Sequence, residues 1–289
     1  IFAGTYDAAG GGYLYSWNGT AWTVLGGQHI NNSWGYFGLG SVEVLQVVGD
    51  YLYAGLGNAA GSAQVWRTNG SGWELVGGQG IDGSWAANTY ETITSMASHQ
   101  GDLYVGLGTT ANDAEVWRRT GRTGREARRE NVNRGAATNY EEVNALASYG
   151  GNLYAGVGSS ANDAEVWRWN GSTWTKIGGD SLNSSWGANY ERVSSVAVLD
   201  GQLYIGLGAS PGDAEVWRWN GTTWAKIGGD TLASSWDSTF EQVEYLMSFN
   251  NKIYAGLGNT TDDAEVWEFN GTTWAKIGGD GVNDSWVSG

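Results

Sequence analysis

Residues 190–229 read YERVSSVAVLDGQLYIGLGASPGDAEVWRWNGTTWAKIGG and contain four short segments with the composition of β-strands. Each segment is rich in β-branched and aromatic residues and is bounded by Gly, Asn, Asp or Ser. The segments are Tyr190–Val198, Gln202–Gly208, Ala214–Asn220 and Thr223–Gly229. An Asn-Gly pair at 220–221 ends the third segment and suits a tight hairpin to the fourth. This stretch therefore predicts a four-stranded antiparallel unit without a helix.

The same unit recurs along the whole chain of 289 residues. Its second strand starts at Ile1, Leu52, Leu103, Leu153, Leu203 and Ile253, in steps of 51, 51, 50, 50 and 50 residues. Four antiparallel strands in a unit of about 50 residues are typical of a β-propeller blade. We therefore predict an all-β fold, a single β-propeller over residues 1–289 with about six four-stranded blades of 50–51 residues. The repeats cover residues 1–38 (partial), 39–89, 90–139, 140–189, 190–239 and 240–289.

The first repeat is one strand shorter than the others. The sequence begins in a second strand and ends before a first strand, so we expect 23 strands. Because an exposed strand edge invites pairing, we expect additional chain or a neighbouring molecule to close the ring.

Composition narrows the possible functions. The chain has no Cys, 2 His and a net charge of −15. Without cysteine there is no disulfide, thiolate metal site or cysteine nucleophile. The negative charge argues against nucleic acid or an anionic membrane as a partner, because both bind basic surfaces. No apolar run approaches the roughly 18 residues of a membrane span, and no signal peptide is visible. This composition fits an extracellular or cell-surface location.

The 18 Trp residues occupy equivalent positions in the repeats. Those in the third strand and at the start of the fourth are expected to pack between blades. A third set, here called the loop tryptophans, follows the fourth strand: Trp34, Trp85, Trp186, Trp236 and Trp286. Trp combines an apolar face with a polar N–H, which suits a ligand site. The loop tryptophans are therefore either braces at the rim or platforms for a ligand, with the nearby Asn183 as a further candidate.

Carboxylates repeat in two sets. The motif Asp-Ala-Glu-Val-Trp places Glu165, Glu215 and Glu265 in the third strand, and we take these three as candidate ligand-binding residues. The alternative is structural, with the Asp capping a turn and the Glu pairing across blades. The second set opens the first strand and comprises Glu91, Glu141, Glu191 and Glu241. If that strand is innermost, these residues form an oxygen-rich ring that suits Ca²⁺. We expect no metal site and no cofactor, with Ca²⁺ left open.

The motifs do not predict an enzyme, and we name no catalytic residue. His29 and His99 occupy unrelated positions in the repeat, so no Ser-His-Asp arrangement is indicated. The Gly-Leu-Gly segments lie within or at the end of strands, and no helix follows them. A phosphate-binding loop is therefore not predicted.

One repeat departs from the pattern. Residues Arg118–Arg134 read RRTGRTGREARRENVNR and hold seven of the 15 Lys and Arg residues. One interpretation is a basic docking patch for an acidic partner. The other is a degenerate repeat, arising from a local shift of reading frame, in which Arg119 and Gly124 stand where other repeats have Trp. Loss of a buried Trp costs about 3–5 kcal/mol, so this blade is expected to be the weakest.

Two lectin families resemble this sequence. The run GGNLYAGVG (Gly150–Gly158), followed by STWTKIGG and Ser185-Trp186, resembles the repeats of tachylectin-type propellers. The resemblance extends over every unit, the third only in part, and implies N-acetylhexosamine binding at shallow sites in each blade. The run AEVWRWNGSTWTKIGG (Ala164–Gly179) is similar to six-bladed fucose-binding lectins and implies that Glu165 holds a sugar. That family also uses an Arg in the second strand, which is absent here.

These observations predict a non-enzymatic, multivalent, lectin-like propeller with shallow sites between blades. Each site would be weak, and repetition would supply avidity. Its partners would be glycans of the N-acetylhexosamine or fucose type, with no nucleic acid and no membrane span, in a longer chain or an oligomer. The alternative is a protein-interaction or structural scaffold whose Trp residues all serve packing.

Overall fold

The computed structural model describes residues 1–6, 11–35, 40–85, 89–110, 113–120, 127–130, 140–260, 263–283 and 285–286, with the backbone alone at 127–130. The described residues form 23 β-strands and a few short 3-10 turns, as the sequence predicts. The strands pair into six antiparallel sheets, each of which keeps chain order. Each sheet is one blade, and the fold is a β-propeller.

The chain divides into two compact units, Ile1–Val143 and Asn144–Gly289. In the first unit, the first blade is three-stranded and the next two are four-stranded. Their strands are β1 (Phe2–Gly4), β2 (Leu14–Trp17) and β3 (Trp22–Gly26); β4 (Val42–Val48), β5 (Tyr51–Leu56), β6 (Gln64–Thr68) and β7 (Trp73–Gly77); and β8 (Ile93–His99), β9 (Asp102–Leu107), β10 (Glu115–Arg119) and β11 (Ala127–Glu130).

The second unit holds the fourth, fifth and sixth blades, and the first strand of the fourth begins at the boundary. Their strands are β12 (Val143–Tyr149), β13 (Asn152–Val157), β14 (Glu165–Trp169) and β15 (Trp174–Gly178); β16 (Arg192–Leu199), β17 (Gln202–Gly208), β18 (Val216–Trp219) and β19 (Trp224–Gly228); and β20 (Val243–Phe249), β21 (Lys252–Leu257), β22 (Glu265–Phe269) and β23 (Trp274–Gly278).

The Asn-Gly pairs form the hairpins between third and fourth strands. In the fifth blade, Gly221 has a φ of 103°, a left-handed conformation that favours glycine. The Asn220 Oδ1 accepts hydrogen bonds from the backbone N–H groups of Thr222 and Thr223, both at 2.9 Å. The side chain thus satisfies the turn's donors, and the predicted hairpin is confirmed.

The inner part of each blade is its first two strands. In the second unit, β16 packs against β20, so the first strands of neighbouring blades lie together. The strand β17 behind them is buried, with Leu203, Ile205 and Leu207 among the largest fully buried side chains. The register shifts at β-bulges between Val193 and Ser195 and between Val216 and Trp217. Such bulges increase the twist of a blade.

Because the four strands of a blade pair in chain order, the two ends of the blade carry different connections. Antiparallel strands that follow each other place alternate connections at opposite ends. The Asn-Gly hairpins therefore lie at one end, here called the hairpin end. The links from second to third strand and from fourth strand to the next blade lie at the other, the connection end. All the candidate residues in the loops belong to the connection end.

Candidate functional site

Four of the loop tryptophans are buried. Their exposed fractions are 1% for Trp34, 3% for Trp85, 2% for Trp186 and 2% for Trp236. The Trp186 ring lies edge-on to Trp217 and Trp224, with ring centres 5.8 and 5.3 Å away. Its Nε1 donates to the Ala164 carbonyl at 2.7 Å. Because a buried ring offers no face to a sugar, burial favours the brace over the ligand platform for these four residues.

Trp286 differs from the other loop tryptophans. Its Nε1 makes the equivalent hydrogen bond, to the Ala264 carbonyl at 3.0 Å. Its side chain is nevertheless 46% exposed. Of this set, it is the residue whose ring face is accessible in the part of the chain that the structure describes.

The three candidate Glu residues of the third strand occupy matching networks. Glu165, Glu215 and Glu265 accept hydrogen bonds at Oε2 from the indole N–H two residues on, at 2.9, 2.7 and 2.7 Å. Their Oε1 atoms pair with Lys176, Lys226 and Lys276, respectively. Each Lys belongs to the fourth strand of the same blade, so the expectation of pairing across blades is wrong. Glu165 and Glu215 are buried, and their carboxylates anchor the lysines.

The lysines extend these networks towards solvent. Lys176 Nζ lies 2.5 Å from an Asp180 carboxylate oxygen, and Lys226 Nζ lies 2.6 Å from Asp230. Both Asp side chains are exposed at the connection end, whereas the Glu partners lie inside. We call the Glu, Lys and Asp of one blade its carboxylate–lysine cluster: Glu165, Lys176 and Asp180; Glu215, Lys226 and Asp230; and Glu265, Lys276 and Asp280, where Asp280 is included for its place in the repeat.

Hydrogen bonds stabilise the charged form of the central lysine. Burial acts to lower the pKa of Lys226, but its hydrogen bonds to Asp230 and Glu215 outweigh that effect and raise the pKa. The same balance raises the pKa of Lys176. In the fourth and fifth blades, the cluster therefore holds a cation between an interior and a surface carboxylate. These lysines are not among the residues predicted from sequence, although Lys-Ile-Gly-Gly-Asp recurs at 176–180, 226–230 and 276–280.

In the fifth blade, further ionisable groups adjoin the cluster. The Tyr190 hydroxyl interacts with Glu215, and burial together with that carboxylate raises the pKa of Tyr190. Burial, Glu191 and Glu215 raise the pKa of Asp213 to about 6. Beside this group, Ser210 Oγ donates a hydrogen bond to Glu191 Oε1 at 3.0 Å. The fifth blade thus presents a dense set of oxygen atoms at its connection end.

The raised pKa of Asp213 predicts a pH dependence of stability. Its carboxyl has an ordinary pKa of 3.8 and a folded-state pKa of about 6. Between these values the folded state binds more protons than the unfolded state, so stability falls as pH rises through this window. Asp213→Asn should therefore be more stable than the wild type at pH 7.5, by about 1 kcal/mol after allowance for solvent screening. Urea unfolding of the two proteins at pH 7.5 and below pH 4 measures this difference in stability, which should vanish at the lower pH.

Asp237 provides a control of opposite sign. Hydrogen bonds from the side chain and backbone N–H of Thr239 lower the pKa of this exposed Asp. Asp237 therefore contributes stability at neutral pH that is lost as pH falls below its ordinary pKa. Asp237→Asn should weaken the protein at pH 7.5 and have no effect at low pH. If Asp213→Asn and Asp237→Asn changed stability in the same direction at pH 7.5, the opposite pKa shifts assigned to the two carboxyl groups would be contradicted.

Asn183 supports a loop rather than standing free. Its φ of 54° is left-handed, and its Nδ2 donates to the Ile177 carbonyl at 3.0 Å. The residue is exposed, and beside it Leu182 exposes its aliphatic side chain. Leu232 takes the same exposed position in the next blade. Each of these loops thus exposes an apolar side chain two residues after its Asp.

Two carboxylates that precede first strands, Glu91 and Glu191, accept hydrogen bonds from hydroxyl groups. Thr109 Oγ1 donates to Glu91 Oε2 at 3.0 Å, just as Ser210 lies beside Glu191. Among the described residues, no group of three or more His, Cys, Asp or Glu side chains is placed to hold a metal ion. The structure therefore adds no support to the Ca²⁺ ring left open by the sequence.

Of the basic segment Arg118–Arg134, residues 121–126 and 131–134 lie outside the described residues. Its first two arginines have structural partners. Arg118 Nε donates to Asp102 at 2.8 Å, and the buried Arg119 donates to the Val76 carbonyl. The equivalent carbonyl in the fourth blade, of Ile177, accepts from the indole of Trp224 in the fifth blade. Arg119 therefore replaces a tryptophan contact in the third blade, which supports the interpretation as a degenerate repeat for this residue.

Comparison with known proteins is informative at the level of fold. No protein-family model matches the chain, and no curated protein matches it. Among solved structures, it is similar to a mitotic checkpoint complex structure, with 13% identity and a TM-score of 0.59 over 98% of this chain and 78% of that one. It is also similar to the RRP9 WD40 repeats, with 12% identity and a TM-score of 0.56 over 93% of this chain and 72% of that one. These likenesses show the propeller fold.

A third similar structure is an extracellular domain. It belongs to BT4673 from B. thetaiotaomicron, with 14% identity and a TM-score of 0.59. The match covers 99% of this chain and 34% of that chain, so this protein spans about a third of the other's length. Within the residues that the structure describes, no helix is long and apolar enough to cross a membrane.

Proposed function

We propose that this propeller is a non-enzymatic, multivalent carbohydrate-binding protein. The observation that carries the proposal is the repetition of the carboxylate–lysine cluster at the connection ends of the fourth, fifth and sixth blades. Each cluster has the same Glu–Lys pair and the same Trp–Glu hydrogen bond. Equivalent sites on one rigid unit suit a ligand with repeated terminal groups, because repetition multiplies a weak single affinity.

The chemistry of the cluster suits sugar hydroxyl groups. The exposed carboxylates of Asp180 and Asp230 accept hydrogen bonds, and the lysine ammonium donates them. The exposed Leu182 and Leu232 offer a small apolar contact for the C–H face of a sugar ring. The proposed site thus lies at the loops predicted from sequence but uses their carboxylates and lysines instead of buried indoles. N-acetylhexosamine and fucose remain the sugar types that the sequence resemblance favours.

An extracellular location accords with this function. Glycans are displayed outside cells, the chain is acidic and lacks cysteine, and one similar propeller is an extracellular domain. We propose glycans at a cell surface or in the surrounding matrix as the partners.

A protein-interaction scaffold is the second candidate. It is favoured by the burial of Trp34, Trp85, Trp186 and Trp236, because packing alone then accounts for the most regular aromatic feature of the repeats. On this alternative, the carboxylate–lysine clusters only fasten the third strand of a blade to the fourth.

A glycan array with the full chain tests the proposal. We expect retention of a restricted set of glycans, and weaker binding by the double variant Asp180→Ala/Asp230→Ala. Loss of two of the three sites should reduce apparent affinity at least about tenfold, since most of it comes from avidity. The bound glycans should have unchanged mass after prolonged incubation, as expected of a binding protein without turnover.

Thr222→Ala is the matched control. Thr222 is exposed at the hairpin end of the fifth blade, far along the strands from the cluster of that blade, so this variant should bind as the wild type does. A blank array with folded wild-type protein would favour the scaffold. Equal losses in the double variant and in Thr222→Ala would place any glycan site elsewhere.

A further inference from the structure

The sequence Asn-x-Ser/Thr, in which x is not proline, occurs nine times in the chain. Five of these sequences begin the hairpins between third and fourth strands, and we call their first residues the hairpin asparagines: Asn18, Asn69, Asn170, Asn220 and Asn270. Three lie in the loops after fourth strands and start with the loop asparagines: Asn31, Asn183 and Asn283. The ninth, at 259–261, extends beyond the described residues. Asn-x-Ser/Thr is the acceptor sequence for N-linked glycans, and the structure distinguishes its two main settings.

The hairpins present the complete acceptor sequence at the surface. Every hairpin asparagine is exposed, and so is the Ser or Thr two residues on. In the fifth blade, Thr222 Oγ1 donates to Asn220 Oδ1 at 3.0 Å, and Ser172 makes the same bond to Asn170 at 2.9 Å. The Asn220 Nδ2 donates to the exposed hydroxyl of Thr223 at 3.1 Å, a contact that water can replace. The turn thus holds the amide beside the hydroxyl and leaves the amide nitrogen accessible.

The loops after the fourth strands conceal the same sequence. The Nδ2 of Asn183 donates to the Ile177 carbonyl at 3.0 Å, and Asn31 and Asn283 donate to equivalent carbonyls at 3.2 and 2.9 Å. The hydroxyl residue two positions after Asn183, Ser185, is buried, and its Oγ accepts from the backbone N–H of Gly179 at 2.9 Å. In these loops, the fold therefore uses both groups that an acceptor sequence needs.

We propose that the hairpin asparagines are N-glycosylation sites of the folded protein and that the loop asparagines are not. The donor is a lipid-linked oligosaccharide diphosphate, and the reaction needs an oligosaccharyltransferase. The Asn Nδ2 attacks the anomeric carbon of the donor, so that a C–N bond forms. The bond from that carbon to the diphosphate oxygen breaks, the lipid diphosphate leaves, and Nδ2 loses one proton to solvent.

Glycans at the hairpins are compatible with the carboxylate–lysine clusters. Within a blade, the hairpin and the cluster lie at opposite ends of the strands, so a glycan on Asn220 leaves the cluster of its own blade open. N-linked glycans are bulky and increase solubility. This inference shares the extracellular location with the proposed function but does not depend on carbohydrate binding by the clusters.

Incubation of the folded full chain with a lipid-linked oligosaccharide and an oligosaccharyltransferase that acts on Asn-x-Ser/Thr tests the proposal. Peptide mass spectrometry then locates the modified residues. Asn170 and Asn183 are the matched pair, because both sequences end in Ser. We expect modification of Asn170 and at least about tenfold less of Asn183, since only the hairpin presents the complete acceptor sequence.

A proteolytic digest of the same chain is the control. Released from the fold, the peptides with Asn170 and Asn183 should be modified to similar extents. Equal modification of both residues in the folded chain would overturn the proposal, as would modified peptides without modified hairpins in the folded chain. An Asn183 peptide that stays unmodified would also overturn it, because its sequence and not the fold would then prevent the reaction.

Two variants of one hairpin test the role of the hydroxyl. Thr222→Ala should lower modification of Asn220 at least about tenfold and leave Asn170 unchanged, because the acceptor sequence needs this hydroxyl. Thr223→Ala removes the neighbouring exposed hydroxyl and should leave modification of Asn220 intact. Equal effects of the two variants would contradict the assignment. The glycan array uses unmodified protein, so failure of carbohydrate binding and failure of glycosylation are separate results.

Discussion

Replacing Trp236 with alanine is expected to destabilise the second unit by about 3–5 kcal/mol, the cost of removing a large buried aromatic side chain. The ring lies edge-on to Trp267 and Trp274, with ring centres 5.8 and 5.1 Å away. Its Nε1 donates to the Ala214 carbonyl at 2.6 Å. The substitution therefore opens a cavity between two blades and leaves a buried carbonyl without its donor.

Trp286→Ala is the matched control for this substitution. Trp286 occupies the same position of the repeat and donates to the equivalent carbonyl, of Ala264. Because Trp286 is 46% exposed, its loss should cost clearly less than that of Trp236, with about 1 kcal/mol coming from the hydrogen bond. Urea unfolding followed by circular dichroism compares the two variants. Similar losses of stability would show that burial does not distinguish these positions.

Much of the fold follows from local signals in the sequence. The Asn-Gly pair at 220–221 specifies a hairpin because glycine accepts a positive φ and the Asn side chain binds the turn's N–H groups. The recurrence of one such unit every 50 residues leaves few architectures that bury all of its strands. The positions of β16 to β19 were therefore predictable within a few residues.

The candidate site was harder to predict. Trp186 follows a polar stretch, Asn183–Ser185, which suggests exposure. The loop nevertheless bends back at left-handed residues, including Asn183 and Ser184, and so inserts the ring between blades. A run of polar residues does not report such a reversal. Spacing alone also did not reveal that Lys226 joins Glu215 to Asp230, because the Glu–Lys contact depends on strand register.

The carboxylate–lysine cluster illustrates how structural and binding roles overlap. Glu215 is buried and Asp230 exposed, so the same lysine fastens two strands and holds a surface carboxylate in place. A side chain that is already held loses little entropy when a ligand binds. The first function of the cluster, in folding, thus prepares the second, which we propose.

Gly206→Ala is expected to destabilise the protein by about 1–3 kcal/mol, the usual cost of overpacking a well-packed core. A Cβ at Gly206 would lie 2.7 Å from Ser195 Oγ and 2.8 Å from Val243 Cγ1. Val243 opens the first strand of the next blade, so the glycine allows two blades to approach closely. Glycine within a strand often marks such an approach.

Gly256→Ala tests whether the neighbours of Gly206 cause the loss of stability expected for Gly206→Ala. Gly256 holds the same place in the repeat, within LYIG at Gly206 and IYAG here, but a Cβ built on it meets nothing within 4 Å. This substitution should be neutral or stabilise by about 0.5 kcal/mol, because alanine is favoured over glycine inside a strand. Thermal unfolding of the two variants gives the comparison. Equal destabilisation would show that the strand itself requires glycine, whereas opposite effects would show that the neighbours of Gly206 do, Ser195 in the same blade and Val243 in the next.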